Sequence, residues 1–182
     1  MVIIENRHMK RQEQMVRSDN ILAMVFSALS MLLIVGRLFI FTPYQVSGLS
    51  MSPTLADGDR VVVTNENEYE RGDIVVFESP IEEGMTYIKR IVGLEGDKVT
   101  ISHGKVMVNG EEVYNDEQYG ETNNYRLESI NETLVPKGHF YVLGDNRENS
   151  MDSRIFGTIS GKNVQGKLIC RLTPVKEFYC NL

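Results

Sequence analysis

The hydrophobic and polar positions of this chain separate one long apolar run from a series of short runs further along. The apolar run extends from Ile21 to Phe41 and contains a single charged residue, Arg37. A helix over this run, rising about 1.5 Å per residue, reaches about 30 Å, which is the thickness of a bilayer core. Polar residues suited to a helix N-cap precede the run, and Pro43 follows it, where a helix is expected to stop. The pattern therefore predicts a transmembrane anchor over residues 21–41.

Three other structures for the apolar run fit the pattern less well. A buried core helix needs a polar face, and the run has none. A removable signal peptide has a shorter apolar region of about 7–15 residues, although Val46, Ser47 and Gly48 would offer small residues for cleavage. An interfacial helix needs a strongly polar stripe, which is missing here. Arg37 does not exclude a span, because it lies one turn from the outer end and its side chain can reach the interface.

The charges on either side of the apolar run predict its orientation. Four lysine and arginine residues precede the run, whereas residues 42–56 carry no charge. Basic residues are concentrated on the cytoplasmic side of membrane spans. We therefore expect a cytoplasmic tail over residues 1–20 and an extracytoplasmic domain over residues 42–182, close to the lipid of the cytoplasmic membrane. The basic residues are Arg7, Lys10, Arg11 and Arg17.

Beyond the apolar run the chain changes to short segments rich in β-branched residues, which favour strands. Asn109 and Gly110 form the strongest hairpin-turn signal. An excursion from the core is expected over about residues 103–136, because the stretch from Asn115 to Pro136 is polar. The pattern predicts a mainly β domain of short twisted strands. The predicted strands are residues 60–64, 74–77, 87–92, 98–102, 105–108, 111–114 and 140–143.

The composition of the chain disfavours nucleic-acid partners, a disulfide scaffold and a metal site. The formal net charge is −6, which gives a nucleic-acid partner no electrostatic support. The two cysteines, Cys170 and Cys180, are too few for a disulfide scaffold, and without a C-x-x-C pair no metal site is expected. Outside the cytoplasm the two cysteines could form one disulfide, and free thiols fit the sequence equally well.

Candidate chemistry lies in three segments that place functional groups beside glycine or proline: residues 47–54, 87–97 and 144–157. A serine hydroxyl is a weak nucleophile and needs a base. None of the histidines, His8, His103 and His139, lies in a recognisable Ser/His/Asp setting. Lys89 lies within an apolar strand, where burial can lower the pKa of its amine into a working range. Taken alone, Lys89 is more simply explained as an outward-pointing, solubilising charge.

Taken together, the three segments resemble the motifs of bacterial type I signal peptidases, in the same order. They read Ser-Met-Ser-Pro-Thr from Ser50, Lys-Arg-Ile-Val-Gly-Leu-Glu-Gly-Asp from Lys89, and Gly-Asp-Asn-Arg-Glu-Asn-Ser-Met-Asp-Ser-Arg from Gly144. The resemblance extends from the apolar run through residues 71–77 to the end of the third segment. It implies a β catalytic domain of the type that signal peptidases share with self-cleaving repressors.

The resemblance implies a Ser/Lys mechanism. By position, Ser50 is the expected nucleophile, neutral Lys89 is the general base, and Ser150 hydrogen-bonds the Lys89 amine and orients it. Two ion pairs are expected to brace the site. The alternative is ordinary surface pairing, which is worth little, and the placement of these charges around the Ser150 turn favours bracing. The expected pairs are Arg90 with Asp145 and Asp152 with Arg154.

The resemblance also implies the substrate. Signal peptides end in small residues at the third and first positions before the cut, and shallow apolar pockets would bind them. Gram-negative members carry a serine that helps bind the oxyanion at the position of Gly48. We therefore expect the Ser50 backbone N–H and another backbone donor to bind the oxyanion, and we assign Ser47 no such role. The candidates to line the pockets, which as apolar residues are core by default, are Tyr44, Val46, Leu55, Val61 and Ile88.

The expected function is that of a membrane-bound serine endopeptidase that cleaves N-terminal signal peptides from exported pre-proteins after small-x-small motifs, without a cofactor or metal ion. A specialised peptidase of the same family, acting on pilins or conjugative-transfer proteins, would share these motifs. The presence of Ser50, Lys89 and Ser150 disfavours a catalytically silent chaperone. A self-cleaving repressor would need a DNA-binding head in place of the membrane span.

Overall fold

The computed structural model describes residues 17–32, 41–65, 68–102, 104–113, 119, 132–172 and 178–180. The chain divides into two compact units, Met1–Ile40 and Phe41–Leu182. The first unit contains helix α1 over residues 17–32. This stretch is free of glycine and proline and rich in alanine, leucine and methionine, which favour helices. Its side chains, such as Ile21 and Met24, are exposed to solvent.

The predicted anchor over residues 21–41 is only partly covered by the described residues. Residues 33–40 lie outside them, and none of the described helices has the length and apolar character to cross a bilayer. Phe41, the last residue of the predicted anchor, is the first residue of the first strand. Pro43 lies in the same strand, which is compatible with its place at the edge of a sheet, where a missing N–H is tolerated.

The second unit is mainly β, as the sequence predicted. Its larger sheet has eight strands in the order β1-β2-β11-β3-β4-β9-β10, with β12 paired to β11, and its neighbouring strands pair antiparallel. Helix α2, Ser153–Phe156, follows β9. The strands, numbered in chain order, are β1 Phe41–Gln45, β2 Arg60–Thr64, β3 Ile74–Glu78, β4 Thr86–Gly93, β9 His139–Leu143, β10 Ile159–Ser160, β11 Val164–Leu172 and β12 Phe178–Cys180.

The smaller sheet has four strands in the order β7-β6-β5-β8. It contains β5 Lys98–Ser102, β6 Lys105–Val108, β7 Glu111–Glu112 and β8 Glu132–Leu134. The predicted turn at Asn109-Gly110 joins β6 to β7, and Asn109 adopts a positive φ of 55°. Three of these strands, β6, β7 and β8, lie within the expected excursion over about residues 103–136, of which residues 103, 114–118 and 120–131 lie outside the described residues. The predicted strand over 111–114 is shorter, and Tyr114 lies outside the described residues.

Alternating apolar residues form the core beneath the first candidate segment. In β2 the side chains of Val61 and Val63 point into the core, and they pack with Met51 and Leu55 from the segment that follows β1. β3 is buried on both faces from Ile74 to Phe77. The segment that contains Ser50 therefore rests directly on the hydrophobic core through Met51, which is fully buried.

The sequence left open whether the two cysteines are free thiols or form a disulfide. Cys170 is disulfide-bonded. It lies in β11, directly opposite Cys180 in the β11–β12 pair.

Candidate active site

Ser50 and Lys89 meet in the described structure, although they are 39 residues apart in the sequence. Ser50 lies in the turn after β1, and Lys89 lies in the middle of β4. The Lys89 Nζ is 2.7 Å from the Ser50 Oγ, and it also donates a hydrogen bond of 2.9 Å to the carbonyl oxygen of Ile88. The distance between Nζ and Oγ allows a proton to pass between them.

The environment of Lys89 favours its neutral form. The residue is only 4% exposed. Burial lowers the pKa of the Lys89 amine from its ordinary 10.5 to about 8, and the carboxylates of Asp152 and Asp145 oppose this shift. At pH 7 about a tenth of such a lysine is neutral, against fewer than about one in a thousand for an unshifted side chain. Lys89 can therefore act as a base near neutral pH.

The segment that carries Ser50 is held by its own backbone and by two aspartates. The Asp57 carboxylate accepts a hydrogen bond of 2.7 Å from the Gly48 N–H, and the Asp59 carboxylate accepts one of 2.7 Å from Ala56. Gly48 has a φ of +88°, a conformation that a residue with a Cβ adopts at a cost. The Ser50 N–H has no acceptor among the residues that the structure describes. It can therefore donate a hydrogen bond to a ligand that lies next to the Ser50 hydroxyl.

Ser150 lies beside this segment but does not bind Lys89. Its side chain is 8% exposed, and its Oγ has no hydrogen-bond partner among the described residues. The expected hydrogen bond between Ser150 and Lys89 is thus not formed in this structure. Ser150 instead packs on Gly144, where a Cβ would overlap the Ser150 Oγ and would lie 2.5 Å from the Ser50 carbonyl oxygen.

Both expected ion pairs are present and buried. Arg90 binds the two carboxylate oxygens of Asp145 at 2.9 and 2.7 Å. Arg154 binds both oxygens of Asp152 at 2.8 Å, and both of these side chains are fully buried. Asp152 also accepts a hydrogen bond of 3.0 Å from the Gly144 N–H. Because both pairs are buried, they are not surface pairs. They hold the backbone of the segment that carries Ser150.

A cavity of about 260 Å³ opens beside Ser50 and Lys89. Three of the expected substrate-binding residues line it: Tyr44, Val46 and Ile88. Leu55 and Val61 do not line it. Both are 0% exposed and pack in the core beneath it, so they have no surface to offer a substrate.

The other lining residues were not predicted from the sequence, although simple patterns point to two of them. Tyr87 lies two residues before Lys89 on the same strand face, and its ring centroid is 5.4 Å from the Lys89 Nζ. Met151 directly follows Ser150, and its sulfur is 3.5 Å from the Tyr87 hydroxyl oxygen. The lining residues that the sequence did not single out are Gln45, Ser47, Val76, Thr86, Tyr87 and Met151.

Histidine is absent from the described lining of this cavity. His139 begins β9 and lines a different cavity with Tyr69 and Lys162, and His8 and His103 lie outside the described residues. The site thus combines a hydroxyl, an amine that can be neutral, a free backbone N–H and an adjoining apolar cavity. This set can perform acyl transfer on an extended peptide.

The chain is similar to known proteins over most of its length. A family model described as "Signal peptidase, peptidase S26" matches residues 18–173. A signal peptidase IB from Staphylococcus aureus (strain MRSA252) is 38% identical over 174 residues, which covers 85% of this chain and 88% of the relative. A signal peptidase I from Bacillus licheniformis is 40% identical over 143 residues, covering 71% of this chain and 75% of the relative. The crystal structure of a signal peptidase I from Enterococcus faecalis V583 covers 57% of this chain and 99% of its own, with 32% identity and a TM-score of 0.47.

Proposed function

The chain belongs to the signal peptidase family, peptidase S26, and on this premise we propose that Ser50 and Lys89 are the nucleophile and the general base of its reaction. The chain is a signal peptidase I, a serine endopeptidase that removes signal peptides from secreted pre-proteins. The observation that carries the assignment of the two residues is the 2.7 Å separation of the Lys89 Nζ and the Ser50 Oγ.

The proposed reaction has two acyl-transfer steps. The Ser50 Oγ attacks the scissile carbonyl carbon while its proton passes to the neutral Lys89 Nζ. The Lys89 ammonium then gives this proton to the leaving amine of the mature protein, and the signal peptide remains as an ester on Ser50. Water attacks this ester, Lys89 takes the proton of the water, and the Ser50 hydroxyl is restored as the signal peptide leaves. The Ser50 N–H stabilises the oxyanion in both steps.

The hydrogen bonds of Lys89 support its role as a base. A neutral amine has two N–H groups and one lone pair. One N–H donates to the Ile88 carbonyl oxygen, 2.9 Å away, which leaves the lone pair for the Ser50 hydroxyl. The second N–H would donate to Ser150, which is the proposed orienting group. Its unpaired and nearly buried Oγ can take that position when substrate closes the site, since catalytic hydrogen bonds often tighten only in the complex.

The shape of the cavity supports recognition of small side chains. Apolar groups of Tyr44, Val46 and Ile88 line a space of about 260 Å³ beside the nucleophile. A space of this size has room for small substrate side chains near the cut, which fits cleavage after small-x-small motifs. A specialised substrate range, such as pilins or conjugative-transfer proteins, has no separate support in this cavity.

Family members are typically membrane-anchored, and the apolar run over residues 21–41 supports the same arrangement here. The tail over residues 1–20 would be cytoplasmic, and the catalytic domain over residues 42–182 would face the outside, next to the membrane lipid. A pre-protein held in the bilayer by its own apolar segment would then present its cleavage site close to the enzyme. The proposed function involves no nucleic acid.

The dyad is tested with pre-protein cleavage by detergent-solubilised full-length protein, followed by sequencing of the new N-termini. Ser50→Ala and Lys89→Ala should each abolish cleavage, because they remove the nucleophile and the base. Lys89→Arg should be inactive as well, since a guanidinium does not lose its proton in this pH range.

Lys98→Ala is a matched control, because Lys98 lies at the surface of the smaller sheet and pairs with Glu132. It should cleave at the wild-type rate. Cleavage retained by Ser50→Ala or by Lys89→Ala would overturn the assignment of these residues and leave the family membership untouched.

A further inference from the structure

Tyr119 belongs to the polar stretch of the sequence, yet its side chain is only 8% exposed. Its ring lies against two arginine side chains. The ring centroid is 5.0 Å from the Arg147 Cζ and 5.8 Å from the Arg90 Cζ. Both distances are within the range in which a guanidinium is attracted to an aromatic face.

Both guanidinium groups hold the segment that follows β9. Arg90 binds both oxygens of Asp145, and its Nη1 donates a hydrogen bond of 2.8 Å to the Gly72 carbonyl oxygen. The Arg147 Nε donates a hydrogen bond of 2.9 Å to the Gly144 carbonyl oxygen. Gly144 is the residue on which the Ser150 side chain packs. The ring of Tyr119 therefore lies against two arginines that are hydrogen-bonded to Gly144 and Asp145, in the segment that carries Ser150.

An aromatic ring suits this position better than an aliphatic side chain. Arg147 is 1% exposed, and burial lowers the pKa of its guanidinium. A buried cation loses its hydration and needs nearby negative charge in return. The Asp145 and Asp152 carboxylates supply part of it, and the electron-rich face of an aromatic ring supplies more without admitting water. An aliphatic side chain would fill the space without attracting the cation.

We propose that Tyr119 is a positioning residue for the catalytic dyad, because its ring fixes Arg147 and Arg90 and, through them, the Gly144–Asp145 backbone beside Ser150 and Lys89. This inference rests on the proposed roles of Ser50 and Lys89 and adds a residue from outside the three catalytic segments.

The inference predicts an electrostatic effect on Lys89. The groups that face the Lys89 amine are the Asp145 and Asp152 carboxylates, the Ser50 hydroxyl and the Tyr87 ring. Without the Tyr119 ring, the two arginines gain water and compensate the carboxylates less tightly. The carboxylates then stabilise the charged amine more strongly, and any water that enters does the same. The pKa of Lys89 should therefore rise toward its ordinary value.

The charged groups around Arg147 determine which other residues respond when Tyr119 is replaced. The Asp145 and Asp152 carboxylates favour the charged form of Arg147, and the Arg154 guanidinium disfavours it. The Tyr119 ring centroid lies 5.0 Å from the Arg147 Cζ. Arg154 stays paired with Asp152 when Tyr119 is replaced, because that pair is formed between residues two positions apart. The change should therefore be concentrated on Arg147, Arg90 and the dyad.

The test is the pH dependence of kcat/KM for a signal-peptide substrate, measured on full-length Tyr119→Phe and Tyr119→Leu. Tyr119→Phe keeps the aromatic face and should retain the wild-type profile. Tyr119→Leu should shift the rising limb by about one pH unit to the alkaline side, which is about a tenfold loss of kcat/KM at pH 7. Tyr69→Leu is the matched control, because Tyr69 makes an edge contact with Phe140, which lines a different cavity. It should lower the melting temperature and leave the limb in place.

If Tyr119→Leu does not fold, pentafluorophenylalanine at position 119 replaces it, because it keeps the shape of phenylalanine and reverses the charge distribution of the ring. It should shift the limb as leucine does. A loss of activity that is equal at every pH would show a structural role only and overturn the proposal. A profile for Tyr119→Phe that matches Tyr119→Leu would also overturn it. Neither result tests the proposed roles of Ser50 and Lys89, which are tested by the Ser50→Ala and Lys89→Ala variants.

Discussion

The backbone carbonyl oxygen of Ser50 accepts a hydrogen bond from the backbone N–H of Asn146, with 3.0 Å between the two atoms. Ser50 lies in the turn after β1, and Asn146 lies in the turn after β9. The nucleophile segment is thus joined by main-chain atoms to the segment that carries Ser150. The two segments approach so closely at Gly144 that its α-carbon has no room for a side chain.

Gly144→Ala should therefore impair catalysis. The added Cβ would overlap Ser150 and lie 2.5 Å from the Ser50 carbonyl oxygen, so one of the two segments must move. Overpacking of this kind costs about 1–3 kcal/mol, and a displaced nucleophile loses rate in addition. We expect kcat/KM for a signal-peptide substrate to fall at least about tenfold, since a misplacement of about 1 Å can cost about a hundredfold in rate.

Gly161→Ala is the control for this substitution. A Cβ at Gly161 would lie 3.2 Å from the Gly138 carbonyl oxygen, in a region that lines the other cavity. It should change kcat/KM by less than about twofold. A folded Gly144→Ala variant with wild-type kcat/KM would show that the close contact of the two segments has no catalytic role.

The sequence predicted strands where apolar and β-branched residues cluster, and two of the strands that it missed, β1 and β11, carry local exceptions. β11 contains Gly166, which weakens a strand signal, and its pairing register shifts against both neighbours. Gly166 is required by tertiary structure, because a Cβ there would lie 2.7 Å from the Thr64 carbonyl oxygen. β1 was missed because Pro43 follows an apolar run and was interpreted as a helix stop. Neither feature can be recognised without knowledge of the neighbouring strand.

The contact between Ser50 and Lys89 could be expected from the family motifs only. No local pattern relates two residues 39 positions apart, because their contact depends on which strands pair and in what register. The same limit applies to Leu55 and Val61, which the structure places in the core beneath the cavity. Apolar residues near a nucleophile can lie on the surface of a cavity or beneath it, and only the packing decides between the two.

Asp145→Asn should destabilise the fold strongly. The Asp145 carboxylate is fully buried and bound by Arg90 at two points, so the amide leaves a buried guanidinium without its counter-charge. Removing one partner of a buried pair costs about 3–5 kcal/mol. The free energy of unfolding, measured with denaturant, should fall by that amount.

Glu132→Gln is the comparison variant for Asp145→Asn. Glu132 pairs with Lys98 at the surface, where each side chain is 54% exposed. The free energy of unfolding should change by less than about 1 kcal/mol. Equal effects of the two substitutions would show that the Arg90–Asp145 pair does not stabilise the fold.

The pH dependence of cleavage should identify the base. Lys89 accepts the Ser50 proton only when it is neutral, and burial lowers the pKa of its amine to about 8. The active form is the deprotonated one, so kcat/KM should rise with pH through about 8 and fall below it as the amine is charged. A histidine base would place this limb near about 6.5. His139→Ala should leave the limb unchanged, because His139 lines a different cavity.

Ile88→Ser tests whether burial is what lowers the pKa of Lys89. Ile88 lines the cavity beside Lys89 and packs against the core, so a hydroxymethyl group in its place admits water next to the amine. Weaker desolvation raises the pKa of Lys89 toward 10.5, and the rising limb should therefore move to higher pH. The measurement is kcat/KM from pH 5 to pH 10 for the wild type and for the variants Ile88→Ser and His139→Ala, on one signal-peptide substrate. A wild-type limb near about 6.5 that disappears in His139→Ala would show that histidine is the base and that Lys89 is structural.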